Sequence, residues 1–263
     1  MAPRLLIVGG GSMGSALLSG LVAGSWAPVG ELTVTDPDPA ARRRLAELHP
    51  GLEVVDGPVA ADSAVLAVKP DVAEQVLRTL AAVGVRRVLS IVAGLSTARL
   101  EAVLRPGDVV VRAMPNTPAL LGAGMAGMAG GSAATADDLD WAEGILRSVG
   151  DVVRLPERHL DAVTALSGSG PAYVFFVAEA LIDAGVTAGL TRQVSRQLVV
   201  GTMLGAARMM AESDEEPGDL RAAVTSPGGT TAAAVRTLEF KSVRSAFIEA
   251  VAAATERSRQ LGR

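Results

Sequence analysis

The first half of the chain alternates short apolar runs with amphipathic stretches. "RLLIV" (4–8) is a β-branched and leucine run that ends in glycines, the pattern of a fully buried strand. In the following "SMGSALLSGLVAGSW", Met13, Leu17, Leu18 and Leu21 recur at helical spacing. "ELTVTD" (31–36) predicts a second strand, and "PDPAARRRLAELHPG" a helix opened by prolines and closed at His49-Pro50-Gly51. Further strands are predicted over 52–55, 63–68, 87–92 and 109–114, with helical stretches such as "VAEQVLRTLAAV" between most of them. This alternation predicts an α/β fold with a doubly wound parallel sheet.

Beyond residue 156 the periods become helical: "PERHLDAVTALSG", "GPAYVFFVAEALIDAGVTAGL", "TRQVSRQLVVGTMLGAARMMAES". A polar acidic loop, "SDEEPGD", and a short helix, "DLRAAVTS", follow, and the chain is expected to close as helix from Thr231 onward. The expected division is a dinucleotide-binding domain over 1–155 and an all-helical C-terminal domain over 156–263. "YVFFVAEALI" and "LVVGTMLGAARMM" leave few polar positions, and a helix apolar all round must be buried. About a hundred residues enclose little interior. A symmetric homodimer with intertwined helices, with room for a higher oligomer, is therefore expected to complete the burial; the other reading is one long helix surrounded by its own domain.

Composition narrows the chemistry. The 263 residues are 49% hydrophobic but 3% aromatic, so Ala, Val, Leu and Met must build the core. A net charge of −4 gives no electrostatic footprint for nucleic acid or an anionic membrane. Cysteine is absent, which excludes disulfides, thiolate chemistry and Cys-zinc sites, and no metal is expected. The apolar run at the N-terminus is too short for a signal-peptide core or a membrane span, so a cytoplasmic protein is the expectation. Lysine occurs twice, as Lys69 and Lys241.

The first predicted turn carries Gly9, Gly11 and Gly14 as G-x-G-x-x-G between strand and helix. One glycine suits the tight turn, one the approach of a pyrophosphate, one the helix–strand packing. The pyrophosphate would meet the helix start at Ser12 and Met13. This context makes the first half Rossmann-like. Asp36 ends the second predicted strand, where an acid accepts hydrogen bonds from the adenosine ribose and favours NADH. Arg42, Arg43 and Arg44 follow; either they offset a 2′-phosphate or they form a solvated helix face. The cofactor is expected to be NADH or NADPH.

In the second half, "SPGGTT" (226–231) interrupts helix with small, hydroxylated and backbone-permissive residues. Gly228 and Gly229 let backbone N–H groups converge on an anion, and the helix that follows adds its positive end; Ser226 and Thr230 supplement it. The plainer reading is a glycine turn with a threonine N-cap.

Together, "IVGGGSMGSALL", "AVLAVKP", "LSIVAGLS", "VRAMPNTPALLGAGM", "SGSGPAY" and "SPGGTTAAAVRTLE" resemble the pyrroline-5-carboxylate reductase family over essentially the whole chain. The resemblance implies hydride transfer from NAD(P)H to the imine carbon of 1-pyrroline-5-carboxylate, giving L-proline, in the last step of proline synthesis. It places Ala67, Val68, Lys69 and Pro70 beside the ribose and nicotinamide, although Lys69 also reads as an ordinary exposed lysine. Val92 and Ala93 would line the nicotinamide. Asn116 would reach the carboxamide or cap a turn. Thr231 would bond the ring nitrogen, and Glu157 would face the substrate or simply mark a helix start. Phe240, Lys241 and Ser242 stand where the family often has glycine, so the last helices either turn there or run through. Rival readings are a reductase of another imine, a hydroxy-acid dehydrogenase-like enzyme, and a non-catalytic NAD(P)-binding protein.

Overall fold

β1 (Leu5–Val8) is buried at every position and lies at the centre of a sheet because its four apolar residues are shielded on both faces. The computed structural model describes residues 3–262 and divides into two units: residues up to Pro171 together with the final turns from Ala253, and Ala172–Ala252.

The first unit holds an eight-stranded sheet in the order β3-β2-β1-β4-β5-β6-β7-β8. Its strands are β2 (Leu32–Thr35), β3 (Glu53–Val55), β4 (Ala64–Leu66), β5 (Arg87–Ser90), β6 (Val109–Met114), β7 (Gly124–Gly130) and β8 (Gly150–Arg154). All pairings are parallel except β6 with β7. The helices are α1 (Ser12–Ala23), α2 (Pro39–Leu48), α3 (Pro70–Ala82), α4 (Thr97–Glu101) and α5 (Ala136–Leu146). They cover two apolar clusters. One gathers Leu17, Leu18, Leu21 and Leu45 with Ile7 and Val34; the other gathers Leu77 and Leu80 with Leu6 and Leu66. Alternate residues of β1 thus serve opposite faces, as the period of a strand requires.

The sheet is doubly wound and parallel as expected, with one exception: β7 runs antiparallel to β6. Its sequence, "GMAGMAG", has low strand propensity, yet its middle positions are buried. By contacts, the first unit runs on to Pro171. α6 (Leu160–Val163) and a π-helical turn over Thr164–Gly168 belong with the sheet, because Leu160 and Ala165 are fully buried and Gly168 passes close to Met114. At the other end of the chain, the Ser258 hydroxyl donates to Asp161 Oδ1 at 2.7 Å, and Leu261 and Gly262 approach the Gly94 backbone.

The second unit is helical. α7 (Gly170–Thr187) leads into it, followed by α8 (Arg192–Glu212), α9 (Pro217–Ala223), α10 (Thr230–Phe240) and α11 (Val243–Leu261), which leaves it. α7 and α8 approach closely where Ser195 is buried against Gly185. The closing helix expected from the sequence is two helices: Lys241 ends α10, and Ser242 takes φ 58 in the left-handed region. The apolar faces of these helices are open in a single chain. Phe175, Phe176, Leu204 and Ile248 are each at least 64% exposed.

Candidate active site

The carboxyl ends of β1, β2 and β4 open onto a cleft of about 670 Å³. Gly9, Gly11, Asp36, Ala67, Val68 and Lys69 line it, all of them residues expected there from the sequence. The site sits where the strand order reverses between β1 and β4, as ligand crevices of open α/β sheets do.

The three motif glycines have three separate causes. Gly9 has φ +107, and a β-carbon there would overlap the Ala67 carbonyl oxygen. Gly11 is the N-cap of α1, and a β-carbon built on it meets nothing within 4 Å. A β-carbon at Gly14 would overlap the Gly9 carbonyl oxygen. The turn is therefore closed from within at Gly9 and Gly14 and open outward at Gly11. No side chain caps α1, and among the described residues the N–H groups of Gly11, Ser12 and Met13 have no acceptor. Free N–H groups at a helix start and an uncrowded Gly11 fit a dinucleotide pyrophosphate. That cradle is the structural ground for assigning NAD(P) to this cleft.

Asp36 is fixed at the end of β2. Its Oδ2 accepts from the Gly10 N–H at 2.7 Å and its Oδ1 from the Asp38 N–H at 2.9 Å. The arginines behave differently from a merely solvated face. Arg42 Nη1 donates to the Asp36 and Pro37 carbonyls at 2.8 and 2.9 Å, and Arg44 Nη2 donates to the Gly10 carbonyl at 3.0 Å. Two of the three thus brace the glycine turn and the exit of β2. Asp56 and Pro58, beyond β3, also line the cleft. The signal for them in the sequence is their place directly after the "LEVV" strand.

Pro70 starts α3 at its first turn, and Lys69 caps it without a side-chain bond. Val92 is buried and Ala93 half-buried in the turn after β5. That turn leads to Thr97, whose N–H and hydroxyl donate to Glu157 Oε1 and Oε2 at 2.7 and 2.6 Å. Arg112 of β6, itself buried, donates from Nη1 to Glu157 Oε1 at 3.1 Å. Burial raises the Glu157 carboxyl, but the two Thr97 bonds and the Arg112 guanidinium outweigh it and hold it below the ordinary value. The charge of Glu157 is matched by Arg112, and its oxygens tie the start of α4 to the middle of β6. Neither Thr97 nor Arg112 stood out in the sequence.

Asn116 is likewise engaged. Its Oδ1 accepts from the Met125 N–H at 2.9 Å, and its Nδ2 donates to the Ser167 carbonyl at 3.0 Å. It ties its loop to β7 and to the π-helical turn, closer to the turn-fixing reading than to a carboxamide contact.

In the second unit, Ser226–Gly229 forms a turn closed by the Gly229 N–H donating to the Ser226 carbonyl at 3.0 Å. Pro227 occupies its second position and Gly228, at φ +70, its third, the arrangement of a type II turn. Gly229 is the N-cap of α10 and no side chain caps the helix, which corrects the threonine-cap reading. Thr230 and Thr231 are the first two helical residues. The N–H groups of Thr230, Thr231 and Ala232 have no acceptor among the described residues. Thr231 is half-buried and Ser226 exposed. A helix start with three free N–H groups and two flanking hydroxyls suits a carboxylate.

Comparison with known proteins agrees with both units. The family described as pyrroline-5-carboxylate reductase dimerisation matches residues 157–261, and the family described as NADP oxidoreductase, coenzyme F420-dependent, matches residues 4–94. A pyrroline-5-carboxylate reductase of Synechocystis sp. is 44% identical over the full length of both chains. One from Corynebacterium melassecola is 42% identical over 98% of each. Among solved structures, a pyrroline-5-carboxylate reductase from Coxiella burnetii superposes with a TM-score of 0.93 at 35% identity, covering all of both chains. The Plasmodium falciparum enzyme with NADP bound gives 0.85 at 32% identity, over 99% of this chain and 98% of that one. With relatives of this identity along its whole length, and with its cleft and its Ser-Pro-Gly-Gly-Thr-Thr helix start in place, this chain belongs to the pyrroline-5-carboxylate reductase family.

Proposed function

We propose that the chain reduces 1-pyrroline-5-carboxylate to L-proline with NAD(P)H, as the last step of proline biosynthesis. The observation that carries this reading is the presence, in one chain, of a cradle for a pyrophosphate and a second, uncapped helix start with free N–H groups and adjacent hydroxyls. The cofactor, when bound, supplies a hydride from its nicotinamide; the residues supply position and electrostatics. The α1 N-terminus holds the pyrophosphate, with Gly11 giving clearance. Ala67, Val68, Lys69 and Pro70 border the ribose side, and the Val92–Ala93 turn borders the nicotinamide.

The substrate carboxylate binds the N–H groups of Thr230, Thr231 and Ala232, with Ser226, Gly228 and Gly229 shaping the turn. The Thr231 hydroxyl bonds the ring nitrogen and orients it. A threonine hydroxyl is a weak acid, so the ring reacts as its protonated iminium, or takes its proton from water through Thr231. Glu157 acts from a distance, as a brace.

Purified protein mixed with 1-pyrroline-5-carboxylate and either nucleotide is expected to oxidise the cofactor, read at the nicotinamide absorbance. No oxidation with either nucleotide would sink the proposal. Thr231→Ala is expected to lower kcat by roughly ten- to a hundredfold, the scale of one orienting hydrogen bond in a transition state, with cofactor affinity unchanged. Full kcat in that variant would remove Thr231 from the reaction.

The assembly we propose is an intertwined homodimer, able to build a higher oligomer. Its interface is the apolar helical surface of the second unit, including Phe175, Phe176 and Leu204. The stretch Glu157–Thr187 is long and apolar enough to cross a membrane. The dimerisation family covers that stretch, which supports a second copy over lipid. A sedimentation or light-scattering mass of at least twice the chain's, in buffer without detergent, is the expected result; a monomer would overturn it. With a net charge of −4, a cytoplasmic enzyme acting on a small molecule rather than on nucleic acid or a membrane is the accompanying proposal.

A further inference from the structure

We infer that this cleft prefers NADH to NADPH, with Asp36 the residue that discriminates. The inference rests on the assignment of the cleft to a dinucleotide, and concerns what lies at its adenosine end.

Asp36 stands at the end of β2, where an acid accepts the ribose hydroxyls of NADH. Its carboxylate is held by the Gly10 and Asp38 N–H groups, so it is fixed in place as part of the turn. Each oxygen retains acceptor capacity for a hydroxyl. A 2′-phosphate brings three acceptor oxygens and about two negative charges to the same place, with no proton to share.

The charges that line the cleft sharpen this. They are Asp36, Asp56 and Asp71, against Lys69 alone. Of the three arginines that could neutralise a phosphate, Arg42 and Arg44 hold backbone carbonyls, and Arg43 is exposed on α2. Arg42 donates to the carbonyls of Asp36 and Pro37, and Arg44 to that of Gly10. None of Arg42, Arg43 and Arg44 lines the cleft. Arg42 and Arg44 each hold these carbonyls through one guanidinium nitrogen, which anchors their heads on the turn and outside the cleft lining. The discrimination is thus a repulsion against the phosphorylated cofactor added to an attraction for the other.

Isothermal titration of the full chain with NADH and with NADPH, without substrate, tests this independently of turnover. NADH is expected to bind about tenfold or more tightly at low salt, with the gap narrowing as salt screens the carboxylates. Asp36→Asn, which keeps size and one acceptor, is expected to tighten NADPH and narrow the gap. Equal or tighter NADPH binding by the unaltered chain would overturn the inference, as would an Asp36→Asn variant that changes both affinities alike. Binding of neither nucleotide would instead overturn the cleft assignment itself, a different failure.

Discussion

Gly14→Ala is expected to destabilise the first unit by on the order of 3 kcal/mol and to abolish measurable nucleotide binding, while Gly11→Ala loses binding alone. The contrast follows from where each missing side chain would go. At Gly14 a β-carbon overlaps the Gly9 carbonyl oxygen, with Ile7 Cγ2 beyond it. The first is backbone of the β1–α1 turn, which cannot move aside as a flexible side chain can, and the second is the fully buried side chain of a β1 residue. Relief requires α1 to lift from the sheet, which disturbs the contacts of Leu17, Leu18 and Leu21 in the core. At Gly11 the backbone is φ −68, ψ −172, open to any residue, and no atom of the chain lies within 4 Å. An alanine methyl there costs the fold little and occupies the space a pyrophosphate needs. Thermal melts and nucleotide titration of both variants check this. A Gly11→Ala protein that binds NADH normally would mean that the pyrophosphate does not approach this residue. A Gly14→Ala protein with an unchanged melt would mean that the turn is slacker than its geometry.

The order of strands and helices in the first half was legible because strands such as β1 and β4 are short apolar runs, and burial on both faces demands that pattern. β7 was not. Its residues are small because neighbours press on them: a β-carbon at Gly127 would come within 2.8 Å of Val163. Close packing selected glycine there at the expense of strand propensity, and that selection is invisible without the neighbour. The break before α11 was half legible. The departure at Phe240, Lys241 and Ser242 stood out, but it took the left-handed φ of Ser242 to show that the chain turns there without glycine. In the site, local features were legible, namely the glycine turn, the acid after β2 and the "SPGGTT" helix start. What escaped was every role set by a partner distant in sequence. Arg42 and Arg44 looked solvated until the carbonyls they hold were visible. Nothing in the sequence pairs Glu157 with Thr97, 60 positions away, or with Arg112, 45 away.

Glu157→Ala is expected to cost about 2–3 kcal/mol of stability, below the range for a fully buried ion pair because the Glu157 side chain is 28% exposed. The Arg112 side chain is 9% exposed and Glu157 is its acidic partner, so truncation leaves a guanidinium in the interior without its counter-charge. Thr97 loses an acceptor for its hydroxyl and for its N–H at the same time. Glu157→Gln separates charge from shape. It keeps one acceptor for Thr97, replaces the other oxygen with an NH2 group that the Thr97 hydroxyl must turn to accept from, and loses the charge opposite Arg112, so a smaller loss than for alanine is expected. The pH dependence carries the same information with a definite sign. The folded carboxyl lies below its ordinary value of 4.5, so the unfolded chain binds the proton more readily. The stabilisation from Glu157 is therefore fully present above about that value and is lost as pH falls through the lower, folded one. Denaturant melts of the unaltered protein should weaken over that acidic window, and Glu157→Gln should show a shallower dependence there. Catalysis separates a brace from a ligand: Thr97 follows directly on the turn after β5, so a loosened brace raises KM for the nucleotide. If Glu157→Gln instead keeps nucleotide affinity and raises KM only for 1-pyrroline-5-carboxylate, the carboxylate meets the substrate after all, and the bracing role is wrong.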